Sequence, residues 1–202
     1  QVRTTVPLVC DMSSDIFSKE INVADFDLIY AGAQKNLGPA GATLYIVKEE
    51  VLGKFKTPFM PTYFNLAKQH EKESMLNTPP VFSVYVAMLN LRDLIATGGV
   101  KAAEERNNAK AGLLYNEIDN NPLFVSKVAV EDRSKMNVSF VLKDEYTGLE
   151  EAFNKVWNDA GIVGLKGHRS TGGYRASLYN ALPLSSVQVL VDVMNDFATK
   201  NA

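Results

Sequence analysis

Short apolar runs, each closed by polar or turn-forming residues, set the pattern of the first third of this chain. They lie at 6–10, 28–31 and 43–47; the first is followed by Asp11-Met12-Ser13-Ser14-Asp15, the second by Gly32, and the third is preceded by Gly38-Pro39-Ala40-Gly41. Runs apolar at successive positions predict strands of a sheet covered on both faces. Residues 54–80, with Pro58, Pro61, Pro79, Pro80 and the polar segment Gln69-His70-Glu71-Lys72-Glu73, predict loop with at most short helix. From Pro79 onward, Val81, Tyr85, Met88, Leu89, Leu91, Leu94 and Ile95 form a helical stripe that stops at Gly98-Gly99. The double glycine is the expected domain boundary, with residues 1–98 part of a larger layered α/β domain.

Beyond it, residues 100–120 predict an amphipathic helix charged on its outer face. Alternating segments follow at 123–130 and 137–143, then a helix over 148–160 with Leu149, Ala152, Phe153, Val156 and Trp157 on one face. Strand-like pieces at 162–165 and 174–179 flank a stretch rich in glycine and basic residues at 166–173, and a last helix covers 185–199. Residues 99–202 therefore read as a small two-layer α+β domain, of ordinary domain size. No internal repeat or low-complexity segment interrupts either part.

Composition narrows the classes. At 46% hydrophobic and 22% charged, with a formal net charge of −2, the 202 residues suit a globular core and exclude a disordered or collagen-like chain. No charge excess points to nucleic acid or an anionic membrane, and no apolar run approaches the roughly 20 residues of a spanning helix. Cys10 is the single cysteine, so no internal disulfide forms and a reducing, cytoplasmic setting is expected. The chain starts with Gln1 rather than Met, which leads us to expect a fragment or processed product.

The candidate chemistry begins in Ala31-Gly32-Ala33-Gln34-Lys35-Asn36-Leu37-Gly38-Pro39-Ala40-Gly41. Lys35 follows a buried strand in a loop of small residues, where a flat ligand can lie against the backbone. Partial desolvation would lower its pKa toward nucleophilic use; taken alone, a loop lysine reads first as a solvated surface charge. Asp11 follows another apolar strand, at the edge where ligands of open α/β sheets bind; taken alone, it is a capping residue. Together, a buried acid and a neighbouring strand-end amine supply what pyridoxal phosphate requires: an amine for its aldehyde and an anion for its ring nitrogen.

Cys10-Asp11-Met12-Ser13-Ser14 and the segment 31–41, with Asn77-Thr78-Pro79-Pro80 and Gly167-His168-Arg169-Ser170-Thr171-Gly172-Gly173-Tyr174-Arg175-Ala176-Ser177, resemble the phosphoserine aminotransferase family of class V, fold-type I pyridoxal phosphate enzymes. The resemblance runs over essentially the whole chain. It implies the C-terminal part of the large, aspartate aminotransferase-like domain, plus the small C-terminal domain. It implies pyridoxal 5'-phosphate as cofactor, with Lys35 as covalent anchor and proton shuttle, Asp11 on the ring nitrogen and Gln34 on the cofactor phosphate. It further implies that Asn77 and Thr78 reach the phosphate of the neighbouring subunit in a homodimer, although the same pair also reads as a helix cap. Arg175 would hold the substrate α-carboxylate, and His168 and Arg169 its phosphate; the cluster by itself also fits a solvated basic loop.

The implied reaction is amino-group exchange between O-phosphoserine with 3-phosphohydroxypyruvate and glutamate with 2-oxoglutarate, in serine and also pyridoxine biosynthesis. The alternatives are another class V aminotransferase of the alanine–glyoxylate type, which needs no phosphate site, and a non-catalytic fragment. Cys10, expected to be buried and inert, argues against a cysteine desulfurase. In such folds, parts of the cofactor site come from strands before the Asp strand. The chain is accordingly expected to be a C-terminal portion, inactive unless the N-terminal portion is present.

Overall fold

The computed structural model describes residues 5–52, 54, 59–169 and 172–202. The chain divides into two units, Gln1–Val100 and Lys101–Ala202.

In the first unit, β1 (Val9–Asp11), β2 (Leu28–Gly32) and β3 (Thr43–Val47) form a sheet in that order. β1 runs parallel to β2, placing Asp11 opposite Tyr30. β3 is antiparallel to β2, placing Thr43 opposite Gly32. Leu28, Ile29 and Ala31 of β2 are buried, and Met12, Ile16, Ile29 and Ala31 pack together with Phe17 and Leu44 at their margin. The expected double covering is met at β2 and not at β1 or β3. Each of these, among the described residues, has a strand on one side only, and Val9 stays 51% exposed. Asp27, to which the sequence reading assigned nothing, pins the sheet. It accepts from Leu8 N–H at 2.7 Å before β1 and from Lys48 Nζ at 3.2 Å after β3, and these two bonds hold its carboxyl below the usual range.

Short helices α1 (Glu49–Leu52) and α2 (Leu66–Glu71) and a 3₁₀ turn at Thr62–Phe64 occupy the stretch read as loop, where Pro58 falls outside the described residues. α3 (Val81–Ala96) forms where predicted but buries a different face. Ser83 and Ala87 are buried, whereas Val81, Tyr85, Leu89 and Ile95 of the apolar stripe are exposed. Close approach of the 38–41 turn is the reason. A methyl group at Gly38 would lie 3.3 Å from Ala87 N, Ser83 Oγ donates to Ala40 O at 2.8 Å, and Asn90 donates to Leu37 O at 3.0 Å. Only small side chains allow backbone and helix so near.

The second unit holds most of α4 (Gly99–Asn120), then β4 (Phe124–Val125), β5 (Asn137–Leu142), α5 (Glu150–Asp159), β6 (Tyr174–Ser177) and α6 (Leu184–Asn201). The sheet is antiparallel in order β4-β5-β6, with Phe124 opposite Leu142 and Ser139 opposite Arg175. Two strand expectations shrink. Segment 123–130 pairs over two residues before a 3₁₀ turn at Val130–Asp132, and 162–165 forms no strand, only the adjacent Lys166–Tyr174 bridge. β5 alternates as its pattern requires, burying Val138, Phe140 and Leu142. The α5 stripe is narrower than predicted: Phe153 and Trp157 are buried, while Ala152 and Val156 are exposed. Phe153 meets the rings of Phe124, Tyr174 and Phe197 at 4.8, 5.0 and 5.1 Å between centroids.

The inner face of α4 is less apolar than an amphipathic helix predicts. Glu117 is buried and satisfied by the amides of Asn121 at 2.6 Å and Asn195 at 2.8 Å. Lys110, also buried, donates to the carbonyls of Leu178 at 3.0 Å and Tyr179 at 2.7 Å, just past β6. Burial, with nearby Arg106 adding, lowers its pKa from 10.5 to about 8. A lysine whose folded pKa lies below its unfolded value disfavours folding while both states are charged, and that penalty is relieved as pH rises from about 8 to 10.5. Over this window the stability difference between the parent and Lys110→Met is expected to move in the parent's favour by up to about 3 kcal/mol. Urea denaturation followed by the fluorescence of Trp157 measures it; a difference independent of pH would refute the assignment.

Candidate active site

Asp11 is the last residue of β1, and the parallel pairing sets its carboxylate beside the end of β2, from which the Lys35 loop departs. It is exposed rather than buried, and among the described residues β1 pairs with β2 alone. Its Oδ1 accepts from the Ser13 hydroxyl at 2.6 Å and from Ser13 N–H at 2.9 Å. These two bonds hold the carboxyl below its usual range, with the Tyr30 hydroxyl and the Lys35 charge acting in the same direction. The turn-type bond that a capping aspartate makes is present, yet no helix follows it; the next element is a 3₁₀ turn at Val23–Asp25.

Lys35 is exposed, and its Nζ donates to Ser14 Oγ at 2.7 Å. The loop is anchored beneath it by Gly38 N–H on Ala33 O at 2.6 Å and by Asn36 on the carbonyls of Ser14 and Ile16, at 3.3 and 3.1 Å. Gln34 folds back over Gly32, where an added methyl group would lie 2.5 Å from Gln34 Oε1. Glycine at 32 thus leaves the room in which the Gln34 amide lies. Asp11, Gln34 and Lys35 therefore share one local frame, formed by the ends of two paired strands and tied by adjacent serines. Ser13 and Ser14, to which sequence reasoning gave no role, hold the two candidate groups; their position two and three residues after the acid is the available signal.

Asn77 and Thr78 are exposed, with Asn77 Nδ2 on Thr78 O at 3.0 Å. They do not cap α3, which begins at Val81 with Pro80 in the capping position and no side-chain cap bond. Pro80 does lie 3.8 Å from where a Gly41 side chain would begin, so this motif abuts the turn that closes the lysine loop.

In the second unit, Arg175 lies on the exposed face of β6, and its N–H donates to Leu165 O at 2.7 Å. His168 and Arg169 are exposed in the loop before it, while Ser170 and Thr171 of the same motif lie outside the described residues. Glycines make that loop possible. Gly172 and Gly173 adopt φ of 66° and 62°, and a side chain at Gly167 would collide with the Gly172 carbonyl. Gly172 N–H donates to His168 O and Gly167 N–H to Gly173 O, each at 2.8 Å, closing the loop on itself.

The aminotransferase class-V family model matches residues 3–190. The chain belongs to the class-V aminotransferase family. It is 60% identical, over 98% of its length, to the phosphoserine aminotransferase of Flavobacterium johnsoniae, and covers 54% of that protein. Among solved structures, it is similar to the phosphoserine aminotransferase of Bacillus circulans subsp. alkalophilus, with a TM-score of 0.92 at 41% identity over 98% of this chain and 55% of that one. It is likewise similar to pyridoxal-phosphate-bound phosphoserine aminotransferase from Trichomonas vaginalis, with a TM-score of 0.91 at 36% identity over 96% of this chain and 55% of that one. The chain thus spans about half the length of the curated relatives it matches.

For this member of the class-V aminotransferase family the α/β, fold-type I resemblance is met. Among the described residues, no group of three or more His, Cys, Asp or Glu is placed to hold a metal ion, and no single helix is long and apolar enough to cross a membrane. Cys10 is half-buried rather than buried, and burial followed by the Asp15 and Asp11 charges pushes its thiol up, away from the thiolate a nucleophile needs.

Proposed function

We propose that this protein is a pyridoxal-phosphate-dependent phosphoserine aminotransferase. It exchanges the amino group between O-phosphoserine with 3-phosphohydroxypyruvate and glutamate with 2-oxoglutarate. The observation that carries this reading is the placing of an acid and a loop amine, each bonded to one of two adjacent serines, in a chain 60% identical to a phosphoserine aminotransferase. The residues fit the cofactor chemically: an anion for the ring nitrogen, a primary amine for the aldehyde and a neutral amide for the phosphate. When bound, the cofactor withdraws electrons from the substrate's α-carbon.

In this reading Lys35 supplies the anchoring amine and moves the proton at the substrate α-carbon. Asp11 keeps the ring nitrogen protonated, and Gln34 donates its amide to the phosphate. Asn77 and Thr78 reach the phosphate of the partner in a homodimer. Arg175 takes the α-carboxylate in a two-point grip, while His168 and Arg169 take the substrate phosphate. Residues 1–98 form part of the cofactor domain and 99–202 the small domain. The reading places the enzyme in the cytoplasm, in serine biosynthesis, and also in pyridoxine biosynthesis by way of 4-phosphohydroxythreonine.

Transamination assays on the intact protein test it through the arginines. A hydrogen bond to a charged group is worth about 1.5–3 kcal/mol, and about 1.4 kcal/mol is tenfold. Arg169→Ala is therefore expected to raise KM for O-phosphoserine roughly 10- to 100-fold and to spare glutamate. Arg175→Ala is expected to impair both, since each has an α-carboxylate. Equal losses in Arg169→Ala would remove the phosphate role and favour a monoanionic substrate.

A further inference from the structure

We propose that Ser13 is the positioning residue for the acid of this site, its hydroxyl fixing the Asp11 carboxylate relative to the strand end that leads to Lys35. The hydroxyl donates to Asp11 Oδ1 at 2.6 Å and accepts from Gly32 N–H at 2.9 Å. One O–H and its lone pairs thus serve both partners at once. Asp11 ends β1, Gly32 ends β2, and Lys35 stands three residues past Gly32, so one side chain links the two segments that bear the acid and the amine.

Holding the strands together does not require this link. β1 and β2 are already paired from Val9 to Asp11, and Met12 N–H extends the pairing to Tyr30 O at 2.8 Å. What Ser13 adds is confined to the carboxylate and the Gly32 amide. An exposed aspartate at a strand edge otherwise samples several rotamers. An acid meant to face a cationic ring atom must stay ionised and stay aimed, and a short charge-assisted hydrogen bond serves both ends. The other groups facing Asp11 are the Tyr30 hydroxyl on β2 and the Lys35 charge on the following loop, both favouring the ionised acid, with Asp15 and Cys10 on its own segment. Ser14, the next residue, meets the Lys35 amine, so adjacent serines divide acid and base between them.

The consequence for the cofactor rests on the reading above, and the experiment separates the two. In the cofactor-free intact protein labelled with carbon-13 aspartate, with the Asp11 signal assigned through Asp11→Asn, the carboxyl is expected to titrate at higher pH in Ser13→Ala and as in the parent in Ser13→Thr. Pyridoxal phosphate titration is expected to give about tenfold weaker binding for Ser13→Ala, the size of one lost hydrogen bond to a charged group. The acid limb of affinity against pH should also move upward, with Ser13→Thr restoring the parent profile. A folded Ser13→Ala whose Asp11 titrates as in the parent overturns the proposal. If Ser13→Ala does not fold, Ser13→Cys, a weaker donor of similar size, carries the same test with the same two outcomes. Should Asp11→Asn leave cofactor affinity unchanged while Ser13→Ala still shifts the titration, the cofactor reading falls and the positioning role stands.

Discussion

Lys35→Ala in the intact protein is expected to abolish the visible band of the imine between lysine and pyridoxal phosphate and to lower transamination at least about a thousandfold. Two losses combine: the amine that anchors the cofactor, and the base that moves the α-carbon proton. The fold should be indifferent. The Lys35 side chain is exposed, its Nζ donates to one serine hydroxyl, and the loop is anchored through Gly38 N–H and the Asn36 amide instead. Circular dichroism and thermal melting should match the parent within error. Borohydride reduction followed by peptide mapping offers an independent check, and an adduct on any other lysine would end the assignment.

Phe153→Ala is expected to cost the second unit about 3–5 kcal/mol, the usual range for removing a fully buried phenyl ring. Phe153 is 0% exposed and sits between Phe124 on β4, Tyr174 on β6 and Phe197 on α6, so its loss opens a cavity bounded by three elements. Tyr174 immediately precedes Arg175, which makes this packing the support of the strand that presents the guanidinium. Urea denaturation read by Trp157 fluorescence measures the effect, and a loss below about 1 kcal/mol would mean that the site collapses around the deletion.

The apolar runs at 28–31 and 43–47, the alternation in β5 and the helix-length stripes at the end of the chain all lie in the sequence, because period and run length are local properties. Family membership was legible for a related reason. Acid, amine, amide and the glycine-bracketed basic loop occur within short contiguous motifs, and the proposed chemistry calls for those residue types whatever surrounds them.

Which face of a helix is buried, and how deeply an acid sits, are decided between segments distant in sequence. The stripe on α3 pointed to its large apolar residues, yet the approach of the 38–41 turn selected Ser83 and Ala87. Asp11 reads as buried because it follows an apolar run, yet its carboxylate is exposed, and among the described residues β1 pairs with β2 alone. The polar inner face of α4 was invisible because Lys110 finds its carbonyls 68 and 69 residues away. Ser13 acquired its role only when Gly32, 19 residues on, came within reach of its hydroxyl. Local pattern therefore determined the elements and the chemical inventory of this protein. Tertiary structure alone decided exposure and hydrogen-bond partners, since both depend on contacts that the order of residues along the chain does not specify.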